Sequence, residues 1–152
     1  MNEDITNSSV SLSSTARSNV APKMIIFPVS VLNKEKGKTQ KVFAFADSGS
    51  SRSYITKKLA RALDASGPEE ILRTETFNGP MSMKTERITG IKIKSVDDDV
   101  GDYEVELKCL YTKDKIPVEQ EHIPRSCDFK QYPHMNVLKR YDNFEGEIGL
   151  MF

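Results

Sequence analysis

The stretch VFAFADSGSSRSYIT, residues 42–56, decides how this chain is read. Phe43 and Phe45 alternate with Val42, Ala44 and Ala46, which is the two-residue period of a β-strand. Because both of its faces are apolar, the strand is expected to be covered on both sides. It runs directly into Asp47-Ser48-Gly49, and a short strand resumes at Tyr54 and Ile55. Thr56 then stands where it can cap a helix, KKLARAL at 57–63, with Leu59 and Leu63 one turn apart and Ile55 placed to pack beside Leu59. A carboxylate at the end of a core-bound strand needs a reason, either a turn or a chemical task.

The turn is the simpler account, since Asp accepts local backbone hydrogen bonds and Gly supplies a positive φ. A phosphorylation-dependent degradation signal would need a serine where Arg52 stands, and strand burial would hide it from a kinase. A nucleophile elbow needs glycines two residues before and after its serine. Ser48 is flanked at those positions by Ala46 and Ser50, and Ser50 by Ser48 and Arg52. His122 and His134 have no patterned partner, which disfavours a Ser-His hydrolase.

Outward from this stretch the chain reads as β. KMIIFPVSVLN, from Lys23, is a first strand. Pro28 within it points to an edge position or a bulge. KEKGKT, with Gly37, suits a hairpin loop leading into the strand that ends at Asp47. ILRTETF, MSMKTERITGIKIKSV and DYEVELKCLYT follow as β segments, separated by NGP and DDDVGD, the latter read as a solvated turn. From 117 to 145 prolines and charges blur the pattern, with NVLKRY as a short helical turn, and EGEIGLMF closes the chain as an apolar strand. Six or seven short strands and one helix imply a mostly β barrel or sandwich. Residues 1–22, rich in Ser, Thr and Asn, are expected to form a disordered tail ahead of a domain at 23–152.

Composition narrows the function classes. The chain has 152 residues, room for one domain, and 22 basic residues balance 22 acidic ones, without the surplus expected of a nucleic-acid binder. It has no apolar run of membrane-spanning length and no signal-peptide layout, so no membrane partner and a cytoplasmic location are expected. Cys109, inside an apolar run, reads as a small buried residue, and Cys127 lies in a polar loop. Two distant cysteines and two histidines do not make a zinc site, so no metal is expected.

The apolar lead, the Asp-Ser-Gly-Ser, the RSYIT continuation and the helix together resemble the active-site segment of retropepsin-like aspartic peptidases, most closely the BEL/Pao retrotransposon family. The resemblance is strong over residues 43–63 and loose over the rest of 23–152. It implies a retropepsin-like closed β barrel with one short helix after the active-site loop and a flap hairpin. It makes Asp47 the catalytic aspartate and Ser48 the hydroxyl that locks two active-site loops together. Gly49 becomes the residue that lets the backbone approach the carboxylate, and Ser50 the small fourth residue. TFNGPMSM resembles the substrate-binding flap, with Phe77, Asn78, Gly79 and Met81 in that role, although a plain turn fits Gly79 and Pro80 equally well.

One Asp-Ser-Gly per chain then requires a homodimer that presents two copies of Asp47 across a twofold axis. The implied substrate is an extended peptide within a polyprotein, hydrolysed without any cofactor. GEIGLMF resembles the strand that in the family continues into a glycine beside the active loop, whereas this chain ends at Phe152. A domain truncated at its C-terminus follows as an expectation, with Leu150, Met151 and Phe152 exposed or fraying and a weak dimer of low activity. The competing account is a retropepsin-like domain that has lost catalysis and serves as a peptide-binding or interaction module. A β-rich interaction domain with a fortuitous turn is the third.

Overall fold

The computed structural model describes residues 22–152, so the expected tail lies outside the described residues except for Pro22. Nine strands form one hydrogen-bonded series. In chain order they are β1 (Ile26–Asn33), β2 (Lys38–Phe45), β3 (Tyr54–Thr56), β4 (Glu69–Thr76), β5 (Gly79–Ile88), β6 (Ile91–Lys94), β7 (Val105–Leu107), β8 (Leu110–Lys113) and β9 (Ile148–Met151). Among the described residues a single α-helix, α1 (Lys57–Ala62), follows β3, and the remaining helical turns are 3-10, the longest spanning Pro133–Tyr141. The architecture is mostly β, as expected.

The strand order is β4-β5-β8-β3-β9-β2-β1-β6-β7. This order is linear. Among the described residues β4 and β7 end the series and do not pair with each other, so the expected closed barrel is a curled half-barrel. The strand count exceeds expectation because two runs split. ITGIKIKSV breaks at Gly90, which has a positive φ of 77°. DYEVELKCLYT breaks at Lys108 and Cys109, sending β7 to one end of the sheet while β8 pairs with β3 and β5. The same break leaves Cys109 half-buried rather than in the core.

β2 has the two covered faces its composition implies. Val42 and Ala44 join a core with Ile55, Leu59, Leu63 and Leu150, while Phe43 joins a second with Tyr54, Ile116, Ile123 and Met151. β1 pairs with β2 along its whole length, but β6 covers it only from Ser30 to Asn33. Pro28 therefore sits in an inner strand, at a stretch with one open side. The Phe43 amide donates away from β1, to the Glu147 carbonyl at 2.9 Å. In an antiparallel pair the opposite residue turns its nitrogen away too, so Pro28, facing Phe43, forfeits no bond to β2.

The helix forms where expected. The Thr56 hydroxyl accepts the Leu59 amide at 3.2 Å, and Leu59 and Leu63 are buried. Buried Asn33 donates through its side-chain amide to the Leu63 carbonyl at 3.0 Å, tying the helix end to β1. Buried Thr85 and Thr112 likewise tie β5 to β8, where the Thr85 hydroxyl donates to the Thr112 carbonyl at 2.9 Å.

The largest departure from expectation is β9. It lies between β2, with which it runs parallel, and β3, with which it runs antiparallel. Leu150 is fully buried and Met151 is 5% exposed, so the strand neither frays nor presents an apolar flank. Paired on both edges and packed on both faces, four residues suffice to hold it. No helix among the described residues is long and apolar enough to cross a membrane.

Candidate active site around Asp47

The chain leaves β2 at Phe45, crosses the end of β9 and enters β3 at Tyr54. Two backbone bonds fix the start of this loop onto β9. The Asp47 amide donates to the Phe152 carbonyl at 2.8 Å, and the Phe152 amide donates to the Phe45 carbonyl at 3.0 Å. On the other side the Ala46 amide donates to the Ile25 carbonyl at 2.9 Å. Asp47 is thus held by the chain on both sides, and its side chain is half-buried.

The loop also closes on itself. The Gly49 amide donates to Asp47 Oδ1 at 3.0 Å, and the Ser50 amide donates to the Asp47 carbonyl at 3.1 Å. Ser50 is half-buried, and its hydroxyl donates to the Arg52 carbonyl at 2.7 Å, steadying the exit toward β3. Ser48 and Gly49 are exposed at the loop crest. The arrangement orients one carboxylate oxygen by a backbone N–H and leaves the other free of bonds from within the loop. One carboxylate so held can accept a proton from water, or donate one when protonated.

Gly49 lies close to the Asp47 carboxylate. A Cβ built there would stand 3.3 Å from Asp47 Oδ1, inside ordinary contact distance. Gly49→Ala should therefore turn the carboxylate by a few tenths of an ångström while leaving the strands in place. An enzyme positioned by this loop should lose about tenfold to a hundredfold in kcat, with thermal stability little changed. A steady-state assay beside a melting curve checks this.

TFNGPMSM forms the turn of a hairpin. β4 and β5 pair from Glu69↔Glu86 to Thr76↔Gly79, with Phe77 and Asn78 as the two-residue loop. Gly79 takes a φ of 105°, and the Thr76 hydroxyl donates to the Gly79 carbonyl at 2.8 Å. Phe77 is fully exposed, and Met81 is 52% exposed. On the face shared by Leu72 and Met83, which belong to the second core, the next pair outward is Thr74 and Met81. The hairpin is therefore rooted in the core and leaves its outer half uncovered.

Beside the loop exit, residues 50–53 border a groove of about 620 Å³. Tyr111 and Lys108 stand on its far wall, and the Arg52 guanidinium lies 5.5 Å from the centre of the Tyr111 ring. A hydrogen bond with Cys109, together with burial, pushes the Tyr111 phenol above its usual range. Sequence reasoning did not single out Arg52, Lys108 or Tyr111. Lys108 and Tyr111 reach the loop only through the pairing of β8 with β3, for which the sequence holds no local signal. His122 is spent locally, accepting the Glu119 amide on Nδ1 at 2.8 Å. Among the described residues no group of three or more His, Cys, Asp and Glu side chains could hold a metal ion. Cys109 and Cys127 are free thiols.

Compared with protein-family models and with curated proteins, the chain matches none.

Proposed function

We propose that the chain is an aspartic endopeptidase of the retropepsin-like kind, closest to the BEL/Pao retrotransposon peptidases, acting on an extended polyprotein segment as a homodimer. The observation that carries this is the Asp-Ser-Gly loop seated on the last strand. Asp47 follows a doubly covered strand, its amide is anchored to Phe152, and its carboxylate is oriented by Gly49. A surface turn does not need the backbone anchor of Asp47 on Phe152, at the end of β9.

Peptide hydrolysis at such a loop needs a second carboxylate. Two copies of Asp47 facing across a twofold axis would share one proton, because like charges about 3 Å apart do not both ionise readily. The ionised member takes a proton from a water molecule, whose oxygen bonds to the scissile carbonyl carbon. The protonated member donates to the carbonyl oxygen. Collapse of the tetrahedral adduct breaks the C–N bond as the amine nitrogen takes a proton. The pair titrates as a unit, and its steps belong to both copies. The β4–β5 hairpin, uncovered at Phe77 and Met81, is the element that would close over the peptide. The peptide would be held extended, by main-chain hydrogen bonds.

Ser48 is exposed at the crest, and in such a dimer its hydroxyl would bond across the axis. Ser48→Ala should weaken dimerisation by about 1 kcal/mol for each of two symmetric bonds while leaving the monomer fold unchanged. Sedimentation equilibrium of the two proteins measures this, and equal dimer constants would remove the cross-subunit role. The test of the whole proposal is incubation with a mixed peptide library, wild type beside Asp47→Asn. Cleavage dependent on Asp47 supports the enzyme, and its absence supports a binding module on the same fold.

A further inference from the structure

The groove beside the catalytic loop has a charge that the proposed chemistry does not use. Arg52 lies five residues after Asp47, on the segment that Ser50 steadies. Its guanidinium rests against the Tyr111 ring, and no described carboxylate lies within ion-pair distance of it. Lys108, exposed, adds a second cation to the groove, and Glu106 is its one acidic wall residue. The hydroxyls of Ser51 and Ser53 complete a polar wall.

A guanidinium held over an aromatic ring by a cation–π contact and paired with no carboxylate can still form the paired N–H bonds that suit one. The geometry points to a specificity pocket for an acidic side chain of the peptide substrate, with Arg52 as the selecting residue and Lys108 reinforcing it. This rests on the proposal that Asp47 cleaves peptides and adds which peptides are preferred. The groove is lined from Ser50 onward by the same loop that carries Asp47, so it is assigned a side chain near the scissile bond, and the cleavage profile reads which position that is. Tyr111 acts as a positioning residue, holding the guanidinium against the wall.

The experiment profiles cleavage of a peptide library by the full chain and by Arg52→Gln and Arg52→Glu. The expected wild-type result is enrichment of Asp and Glu at one position near the cleaved bond. Glu over Gln there should give about fivefold in kcat/KM, the size of a half-exposed ion pair, and the preference should fall as salt is raised. Arg52→Gln should flatten the preference at that position alone, and Arg52→Glu should turn it toward Lys and Arg. Wild-type cleavage with no acidic preference, or a preference unchanged by both substitutions, overturns the pocket and leaves Asp47 as the catalytic group. Absence of wild-type cleavage overturns both. A variant that melts below the assay temperature is replaced by Arg52→Lys, which keeps the charge but loses the paired geometry. It should retain a weaker acidic preference, and full retention would also count against the pocket.

Discussion

Asp47→Asn should abolish peptide cleavage, by about a thousandfold or more, while the protein stays folded. A large loss is expected because the proposed function makes this carboxylate the base that takes the proton from water, and an amide cannot do so at neutral or mildly acidic pH. The fold should survive because the substitution is nearly isosteric. The asparagine oxygen can keep the 3.0 Å bond from the Gly49 amide, and the bond from residue 47 to the Phe152 carbonyl is made by the backbone. Cleavage rates and thermal melts of the two proteins are the measurements. A variant that melts like the wild type and cleaves at a similar rate would show that Asp47 is not the base.

Leu150→Ala should destabilise the domain by about 2–5 kcal/mol, an effect large enough to unfold a marginal domain at ambient temperature. Leu150 is fully buried in the core that also holds Val42, Ala44, Ile55 and Leu59. It pairs with Ala44 on one side and Ile55 on the other, so the cavity would open between the two strands that flank the Asp47 loop. Activity should therefore fall along with stability. Denaturant unfolding checks the magnitude, with Leu150→Met as the volume-conserving control, expected to cost under about 1.5 kcal/mol. A loss under 1 kcal/mol for Leu150→Ala would mean that β9 is not the internal strand described.

Local pattern carried the elements whose signal is short-range. The alternation at Val42–Ala46, the cap at Thr56 and the Leu59/Leu63 spacing each have a physical cause within a few residues, and β2, α1 and the β4–β5 hairpin follow them. The loop at Asp47 was legible for the same reason. What was not legible depends on partners distant in sequence. Nothing inside EIGLMF says that it inserts between β2 and β3, about a hundred residues earlier, and without those partners the run reads as an exposed end. Pro28 argued for an edge, but one proline needs only one open side, which β1 supplies where β6 has not begun. VELKCLY alternates cleanly and still divides, because β7 and β8 take partners at different places in the sheet. The groove at Arg52 is a product of that same pairing and could not precede it.

The proposed function requires two copies of Asp47 to act together across a twofold axis, and mixing subunits reads out whether they do. Wild type and Asp47→Asn are combined at equal amounts, at a total concentration that populates the dimer, allowed to exchange and assayed for peptide cleavage. If both aspartates are needed, only dimers of two wild-type subunits cleave, and activity should fall to about one quarter of that of an all-wild-type sample at the same total concentration. It should then follow the square of the wild-type fraction across the titration. Activity that falls only to about one half and tracks the wild-type fraction linearly would contradict the claim, because each subunit would then cleave with its own Asp47 alone.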